Sequence, residues 1–299
     1  MIKRTLYFGN PAYLSCQNSQ LAVSYPDADD KKTIPIEDIG IVLLDHPQIT
    51  ITHHLIASLL SANAALITCN ERHLPTGLML NLDGHSLQSK YFKHQLSAKE
   101  PLKKQLWQFT IKAKINNQAN VLYTQSKNYQ YLRNLIPMVK SGDSSNMEAR
   151  AAGFYRKSVY MELGIKFSRD PTGASPNHLL NYGYTILRAL VARSLVGSGL
   201  LPTLGIFHRN QYNAYCLADD IMEPYRPYID ALVFDICHKY GYDVELDTNI
   251  KKELLSIPVL DVVIENKKSP MMIAIQRTTA SMAKSFESGI CELIYPDYE

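Results

Sequence analysis

Residues 40–69 read GIVLLDHPQITITHHLIASLLSANAALITC and change their hydrophobic period twice. The continuous apolar run at 40–44 is typical of a strand that is covered on both faces of a sheet. From residue 52 to residue 64 the apolar side chains recur at helical spacing, and residues 65–69 return to strand character. This order predicts a compact β-α-β unit.

Short strand-like runs precede this unit, and helices follow it. Residues 5–8 and 21–25 are apolar or aromatic and are flanked by turn-forming residues. After a turn cluster at 81–86, helical spacing of apolar residues dominates, at 92–96, 102–122, 177–196 and 273–286. We therefore predict an α+β fold, with a small β-rich N-terminal domain at residues 1–82 and a larger all-α C-terminal domain at residues 83–299.

The predicted helix at 102–122 is rich in lysine. Its apolar positions are assigned to Leu102, Leu106, Phe109 and Ala113, and its polar positions to Lys103, Lys104, Lys112 and Lys114. Such lysines usually form a solvated face. Contact with phosphate groups is the alternative, because this is the most basic segment of the chain.

The composition is typical of a globular protein, because 46% of the 299 residues are hydrophobic and 20% are charged. A net charge of +3 permits a nucleic-acid partner without requiring one. The 5 cysteines include no C-x-x-C pair, so we expect reduced thiols and neither a disulfide framework nor a zinc site. No segment resembles a signal peptide or a membrane span, which predicts a cytoplasmic protein without membrane contact.

Chemically reactive side chains are densest at residues 208–227, which read HRNQYNAYCLADDIMEPYRP. On a helix, Asp220 and Glu223 would share one face, about 5–6 Å apart at Cβ. Together with His208 they would suit a divalent ion that keeps open coordination positions, such as Mg²⁺ or Mn²⁺. The alternative is structural, because acids near a helix start also cap the helix and compensate its dipole.

Glu148 also has a structural explanation. Ser145 and Glu148 have the spacing of a capping box, in which the glutamate side chain returns to the serine amide at a helix start. The same helix carries Arg150, Arg156 and Lys157, which would also suit a nucleic-acid surface.

Four motifs in order link this chain to a known family. They are the helix-opening Glu148, the run NYGYTIL at 181–187, the loop GIFH at 205–208 and the segment DIMEPYRP at 220–227. Two further segments match the family's N-terminal domain, IPIEDIG at 34–40 and CNERHLP at 69–75. Over nearly its whole length the chain resembles the CRISPR-associated spacer-acquisition integrases, in the form found with single-effector (type II) systems.

The resemblance implies a dimerising N-terminal domain and a helical catalytic domain with a divalent metal, Mg²⁺ or Mn²⁺. The family's metal ligands map onto Glu148, His208 and Glu223 as the catalytic residues, and Asp220 stays open as a further ligand. The implied activity is that of a DNA integrase and endonuclease that joins 3′-hydroxyls of short foreign DNA to the repeat array by transesterification. The implied partners are double-stranded DNA, a second copy of the chain, and a small ferredoxin-like CRISPR-associated protein in a 4:2 heterohexamer.

Basic residues near the implied site are assigned to phosphate contact by charge and position, namely Arg150, Arg156, Lys157, Arg209 and Arg226. Two other function classes remain open. A non-catalytic DNA-binding scaffold of the same fold would bind DNA without strand transfer. A helical metallohydrolase acting on small molecules would explain the acids and His208, but not the basic helices.

Overall fold

The N-terminal part of the chain arranges its strands in two four-stranded sheets. The computed structural model describes residues 3–26, 31–160 and 175–299. The sheets have the strand orders β1-β5-β7-β8 and β4-β3-β2-β6. The elements of this part are β1 (Arg4–Phe8), β2 (Ala12–Gln17), β3 (Gln20–Ser24), β4 (Lys32–Pro35), β5 (Ile39–Leu44), β6 (Ile49–Ile51), α1 (His53–Ser61), β7 (Ala65–Cys69) and β8 (Pro75–Met79).

The predicted β-α-β unit is confirmed. Strands β5 and β7 are parallel neighbours, with Ile41 opposite Ala65, and α1 lies between them in the chain. The Thr52 side chain accepts a hydrogen bond from the Leu55 amide and so caps α1. The sequence pattern does not predict β2, which pairs with β3 through a turn whose two residues, Asn18 and Ser19, both have positive φ.

Strand β5 joins two hydrophobic cores, because its side chains alternate between the faces of the sheet. Ile41 and Leu43 pack in the large core that contains the helical part of the chain. Val42 packs in a smaller N-terminal core with Leu55 and Leu59 of α1. The apolar run is continuous because both faces of this strand are covered, as the sequence predicts.

The C-terminal part is largely helical, which confirms the predicted α+β class. It is not entirely α-helical, because it contains a two-stranded hairpin. The residues at the turn of this hairpin, Glu265 and Asn266, both have the positive φ of a tight hairpin turn. The elements are α2 (Gln88–Ser97), α3 (Glu100–Thr124), α4 (Gln130–Leu135), α5 (Met147–Tyr160), α6 (Asn177–Gly197), α7 (Cys216–Met222), α8 (Arg226–Tyr240), α9 (Thr248–Leu254), β9 (Asp261–Ile264), β10 (Lys267–Pro270) and α10 (Met271–Ser288).

All 5 cysteines are free thiols, as predicted. In the part of the chain that the structure describes, no helix is long and apolar enough to cross a membrane.

The predicted polar face of α3 is wrong at one position. Leu102 and Leu106 are buried as expected, but Phe109 is 41% exposed and Lys114 only 7% exposed. The buried stripe runs through Trp107, Ile111 and Lys114 at helical spacing, so a lysine occupies a core position. The prediction places Phe109 and Ala113 on the apolar face, but these two residues lie beside the buried stripe and not in it.

A buried carboxylate connects the sheet to the helices. Asp45 follows β5 and accepts a hydrogen bond from Lys251 Nζ of α9 at 2.6 Å. The Tyr7 hydroxyl donates to the same carboxylate at 2.7 Å, and His73 Nδ1 lies 2.9 Å from it. Removing one partner of such a buried ion pair leaves an unpaired charge, so this cluster helps to fix α9 against the sheet.

The capping box predicted at the start of α5 does not form. Instead, the Asp143 carboxylate accepts hydrogen bonds from the amides of Met147 and Glu148, both at 2.9 Å. Ser145 donates its hydroxyl to the Met138 carbonyl oxygen. An ionised acceptor binds amides more strongly than a hydroxyl does, and it also compensates the helix dipole. The Glu148 side chain is therefore free to point away from its own helix start.

We expect Asp143→Ala to lower the free energy of unfolding by about 1–2 kcal/mol, because it leaves two amides of α5 without their acceptor. Ser145→Ala is the matched control and should change it by less than about 0.5 kcal/mol. Urea denaturation of both variants measures the difference. A larger loss in Ser145→Ala than in Asp143→Ala would contradict this assignment of the cap.

Candidate active site

Three separate elements bring charged side chains together in the helical part. Lys114 comes from α3, Glu148 from the first turn of α5, and Glu223 from the 3₁₀ turn Glu223–Tyr225 that joins α7 to α8. Lys114 Nζ lies 2.5 Å from Glu148 Oε1 and 2.6 Å from Glu223 Oε2. Arg226 Nε, at the start of α8, lies 2.9 Å from Glu223 Oε1. The two acids share a lysine, and Glu223 has a second cation.

Burial and neighbouring charges shift the pKa values of Glu223 and Lys114 in opposite directions. Burial alone would raise the pKa of Glu223, but the charges of Arg226 and Lys114 lower this pKa to about 2. Burial alone would lower the pKa of Lys114, but Glu223 and Glu148 hold it above its ordinary value. Glu223 and Lys114 are therefore both ionised at neutral pH.

The oxygens of Glu223 keep the capacity to bind another ligand. Glu223 Oε2 lies within ion-pair distance of Lys114, yet it has no partner with hydrogen-bond geometry among the described residues. The acids border a cavity of about 260 Å³, which is also lined by Tyr155, Arg156, Tyr184 and Asp230. Buried carboxylate oxygens beside such a cavity are a donor set that a hard divalent ion prefers.

Asp220 orients His208. The Asp220 side chain is fully buried in α7, and its Oδ1 lies 2.5 Å from His208 Nδ1. The same carboxylate accepts hydrogen bonds from the amides of Ile206, Phe207 and His208. The hydrogen bond with Asp220 raises the pKa of His208, against the opposing effect of burial. Of the two ring nitrogens, Nε2 is the one not held by Asp220.

Asp220 and Glu223 have different partners, although the sequence predicts that they share one helix face. Asp220 binds the loop that precedes α7, whereas Glu223 contacts Lys114 and Arg226. Three backbone amides and an imidazole nitrogen surround the Asp220 carboxylate, so its oxygens are not available to a metal ion in this arrangement. A role of Asp220 as metal ligand stays a prediction that the contacts do not favour.

The single tryptophan of the chain lies against the His208 loop. The rings of Trp107 and Phe207 are stacked, with centroids 4.1 Å apart and an interplanar angle of 3°. Trp107 also meets the His208 ring edge to face, at 5.7 Å between centroids. His208 is therefore positioned from α3 by Trp107 as well as from α7 by Asp220.

The predicted ligands Glu148, His208 and Glu223 are not yet assembled around one point. Across residues 3–26, 31–160 and 175–299, no group of three or more His, Cys, Asp or Glu side chains is arranged to hold a metal ion. Glu148 and Glu223 are bridged by Lys114, while His208 lines a second cavity of about 450 Å³. The charge of Glu223 nevertheless contributes to the raised pKa of His208, so the two groups interact electrostatically.

The sequence pattern misses Lys114, Trp107 and Asp143 as parts of this region. Lys114 has a detectable signal, because it lies three residues after Ile111 and four before Gln118, both of which are buried. Trp107 has no comparable signal, since its ring partners Phe207 and His208 are distant in sequence, whereas Asp143 lies only four and five residues before the amides that it caps.

The five basic residues assigned to phosphate contact lie in three environments. Arg156 and Arg226 line the cavity beside Glu148 and Glu223. Arg209 borders the second cavity and donates to Glu100 at 2.8 and 2.9 Å. Arg150 and Lys157 are exposed on α5. Their contact with DNA stays a prediction.

A family model described as CRISPR associated protein Cas1 matches residues 6–254. The chain belongs to the Cas1 family. It is 37% identical, over 98% of its own length and 93% of the relative's, to a protein named CRISPR-associated endonuclease Cas1 from Neisseria meningitidis serogroup C (strain 8013). The family that the sequence motifs resemble is thereby confirmed.

Solved structures share the Cas1 fold at low sequence identity. A casposase bound to integration product superposes with a TM-score of 0.80 at 18% identity, covering 100% of this chain and 95% of that one. A chain of a Cas6-RT-Cas1–Cas2 complex gives a TM-score of 0.77 at 17% identity, covering 99% of this chain and 36% of that one. At these identities the likeness extends to the fold alone.

Asp220→Asn is expected to lower the pKa of His208 toward its ordinary value, because the amide no longer offers a carboxylate to the imidazole. Asp219→Asn is the matched control, since Asp219 is also buried in α7 but binds Arg188 and Asn213; its charge contributes least to the raised pKa of His208, so it should lower that pKa by much less. The His208 ring signals in an NMR pH titration measure the effect. An unchanged titration in Asp220→Asn would show that Asp220 does not control this histidine.

Glu223 should make the free energy of unfolding fall at acidic pH. Its pKa is about 2 in the folded chain against an ordinary 4.5, so its stabilising effect is complete above about pH 5 and is lost as the pH falls toward 2. The difference, at about 1.4 kcal/mol per pKa unit, corresponds to about 3 kcal/mol. Urea denaturation at several pH values should therefore show a weaker acid dependence in Glu223→Gln than in the wild type. Glu100→Gln, which changes an exposed ion pair, should follow the wild type.

Proposed function

We propose that this Cas1 family member is a divalent-metal-dependent DNA integrase and endonuclease of CRISPR adaptation. It joins the 3′-hydroxyls of short foreign DNA to the repeat array by transesterification. The observation that carries the proposal is the pair of carboxylates, Glu148 and Glu223, that share Lys114 beside a cavity and near an oriented histidine. Membership of a family whose relative is named an endonuclease adds support.

Glu148, His208 and Glu223 would hold the metal, Mg²⁺ or Mn²⁺. Carboxylate oxygens and an imidazole nitrogen suit these ions, and His208 has one ring nitrogen, Nε2, that Asp220 does not hold. A bound divalent ion would polarise a phosphoryl oxygen and stabilise the charge that develops on it. We assign Asp220 to positioning of His208, in keeping with the carboxylate–histidine pairs that surround metal sites.

Other side chains would bind and orient the DNA. Arg156 and Arg226 line the cavity, so they would contact phosphate oxygens next to the reacting group. Arg150, Lys157 and Arg209 would extend this contact along the backbone, and their effect should weaken with salt. A 3′-hydroxyl held in line with a phosphodiester can displace the leaving oxygen without a covalent protein intermediate.

The proposed assembly follows the family resemblance. It consists of a homodimer formed through the N-terminal domain, residues 1–82, and a 4:2 heterohexamer with a small ferredoxin-like partner, on double-stranded DNA. One chain of a solved Cas6-RT-Cas1–Cas2 complex contains a region with the fold of this chain, which supports this partner. Free thiols at all 5 cysteines agree with the proposed cytoplasmic location.

Strand transfer is the decisive assay for the proposal. A labelled short duplex is incubated with a supercoiled plasmid carrying a repeat array, with the small partner protein, in Mg²⁺, Mn²⁺ or EDTA. We expect the label to join the plasmid only with metal. Glu148→Ala and His208→Ala should each reduce joining by at least about 100-fold, as loss of a group that stabilises the transition state does. Asp220→Asn should reduce it by about 10–100-fold.

Exposed residues provide the controls for this assay. Glu245→Ala and His53→Ala remove the same side-chain types from the surface and should join DNA at the wild-type rate. Joining in EDTA, or equal joining in Glu148→Ala, would disprove the metal-site mechanism. DNA binding without joining in the wild type would favour the non-catalytic scaffold instead.

A further inference from the structure

Lys114 lies where a cation bound by both glutamates would have to lie. Its ammonium contacts Glu148 Oε1 and Glu223 Oε2 at 2.5 and 2.6 Å, and its side chain is only 9% exposed. These are two of the three residues to which the proposed function assigns the metal. A divalent ion bound by both carboxylates would lie at or next to the position of the ammonium, so the two positive charges would repel each other strongly.

Several features allow the lysine to move. Its contact with Glu223 Oε2 is an ion pair, so displacement has to break that charge contact and the hydrogen bond that Lys114 donates to Glu148 Oε1. The four-carbon lysine stem is flexible, and the adjoining cavity of about 260 Å³ offers space for it. Arg226 stays paired with Glu223 Oε1, so Glu223 keeps a counter-charge when the lysine leaves.

The lysine also balances the charge of the two acids. Glu148 and Glu223 both contact its ammonium, and without a cation between them their carboxylates would repel each other. Lys114 and Arg226 together balance Glu148 and Glu223, so the cluster of four charges is neutral. Adding a divalent ion to this neutral cluster requires one positive charge to withdraw, and Arg226 is tied to the oxygen that Lys114 does not contact.

We propose that Lys114 is a resident counter-ion that occupies the cation position between Glu148 and Glu223 and is displaced into the adjoining cavity when a divalent ion binds. This inference rests on the proposed function. The lysine balances the charge of the metal-free site, and it lowers the affinity of that site for metal. After displacement, its charge remains attached to α3 and adds to the positive charge that Arg156 and Arg226 bring to the cavity.

Binding of Mn²⁺ to the full chain without DNA tests this competition. Free Mn²⁺ is measured by electron paramagnetic resonance for the wild type, Lys114→Met, Glu148→Gln and the double variant. Lys114→Met retains the stem without the charge, so it should bind Mn²⁺ at least about tenfold more tightly, a coupling of ordinary size. Lys112→Met is the matched control from the same helix, because Lys112 is half-buried and contacts neither glutamate, and it should bind like the wild type.

The outcomes separate this inference from the proposed function. Tighter binding in Lys114→Met that disappears in the double variant supports both, even where the wild type binds no measurable Mn²⁺. Equal or weaker binding in Lys114→Met, together with loss in Glu148→Gln, overturns the role of Lys114 and leaves the metal site intact. If neither the wild type nor Lys114→Met shows binding that depends on Glu148, both proposals fail.

A measurement on the wild type covers the case in which Lys114→Met does not fold. Lysines are acylated with a small amine-reactive reagent in EDTA or in Mn²⁺, and Lys114 is followed by mass spectrometry. Lys114 should react slowly in EDTA because it is buried between two acids, and several-fold faster in Mn²⁺. In Glu148→Gln the rate should be the same with and without Mn²⁺. Unchanged acylation of the wild type at saturating Mn²⁺ would rule out displacement.

Discussion

The buried carboxylate of Glu223 and the half-buried carboxylate of Glu148 require positive charge beside them, and that requirement organises the candidate site. An unpaired charge in a protein interior is destabilising by several kcal/mol, so the elements that carry charges must converge. Lys114 on α3 meets Glu148 on α5 and Glu223 after α7, and Arg226 at the start of α8 completes the cluster. Four elements are thereby fixed to one another at the place where the cavity opens.

A second buried carboxylate positions the histidine. Asp220 holds the imidazole and three amides of the loop 206–208, and Trp107 packs against the Phe207 and His208 rings of that loop. The helices α3 and α7 thus support both His208 and the glutamates. The acids and the histidine of the candidate site therefore lie on elements that hydrogen bonds, ion pairs and ring contacts hold to one another.

Much of the fold follows from periodicity. The β-α-β unit, the long helices and the α+β class are predicted because each depends on local spacing of apolar residues, and β5 shows this most clearly. The short hairpin β9–β10 has weaker local signals, since its strands have four residues each. The lysine on the buried stripe of α3 is also missed, because a charged residue is assigned to solvent unless its partner is known.

The sequence by itself determined the fold class, the family motifs and which residue types are available for chemistry: an acid at 148, a histidine at 208 and acids at 220 and 223. It could not determine which acid serves which purpose. Only the tertiary structure decided that Asp220 binds the His208 loop and that Lys114 bridges Glu148 and Glu223. The reason is physical: hydrophobic periodicity is a property of neighbouring residues, whereas the partner of a buried charge comes from a distant part of the chain.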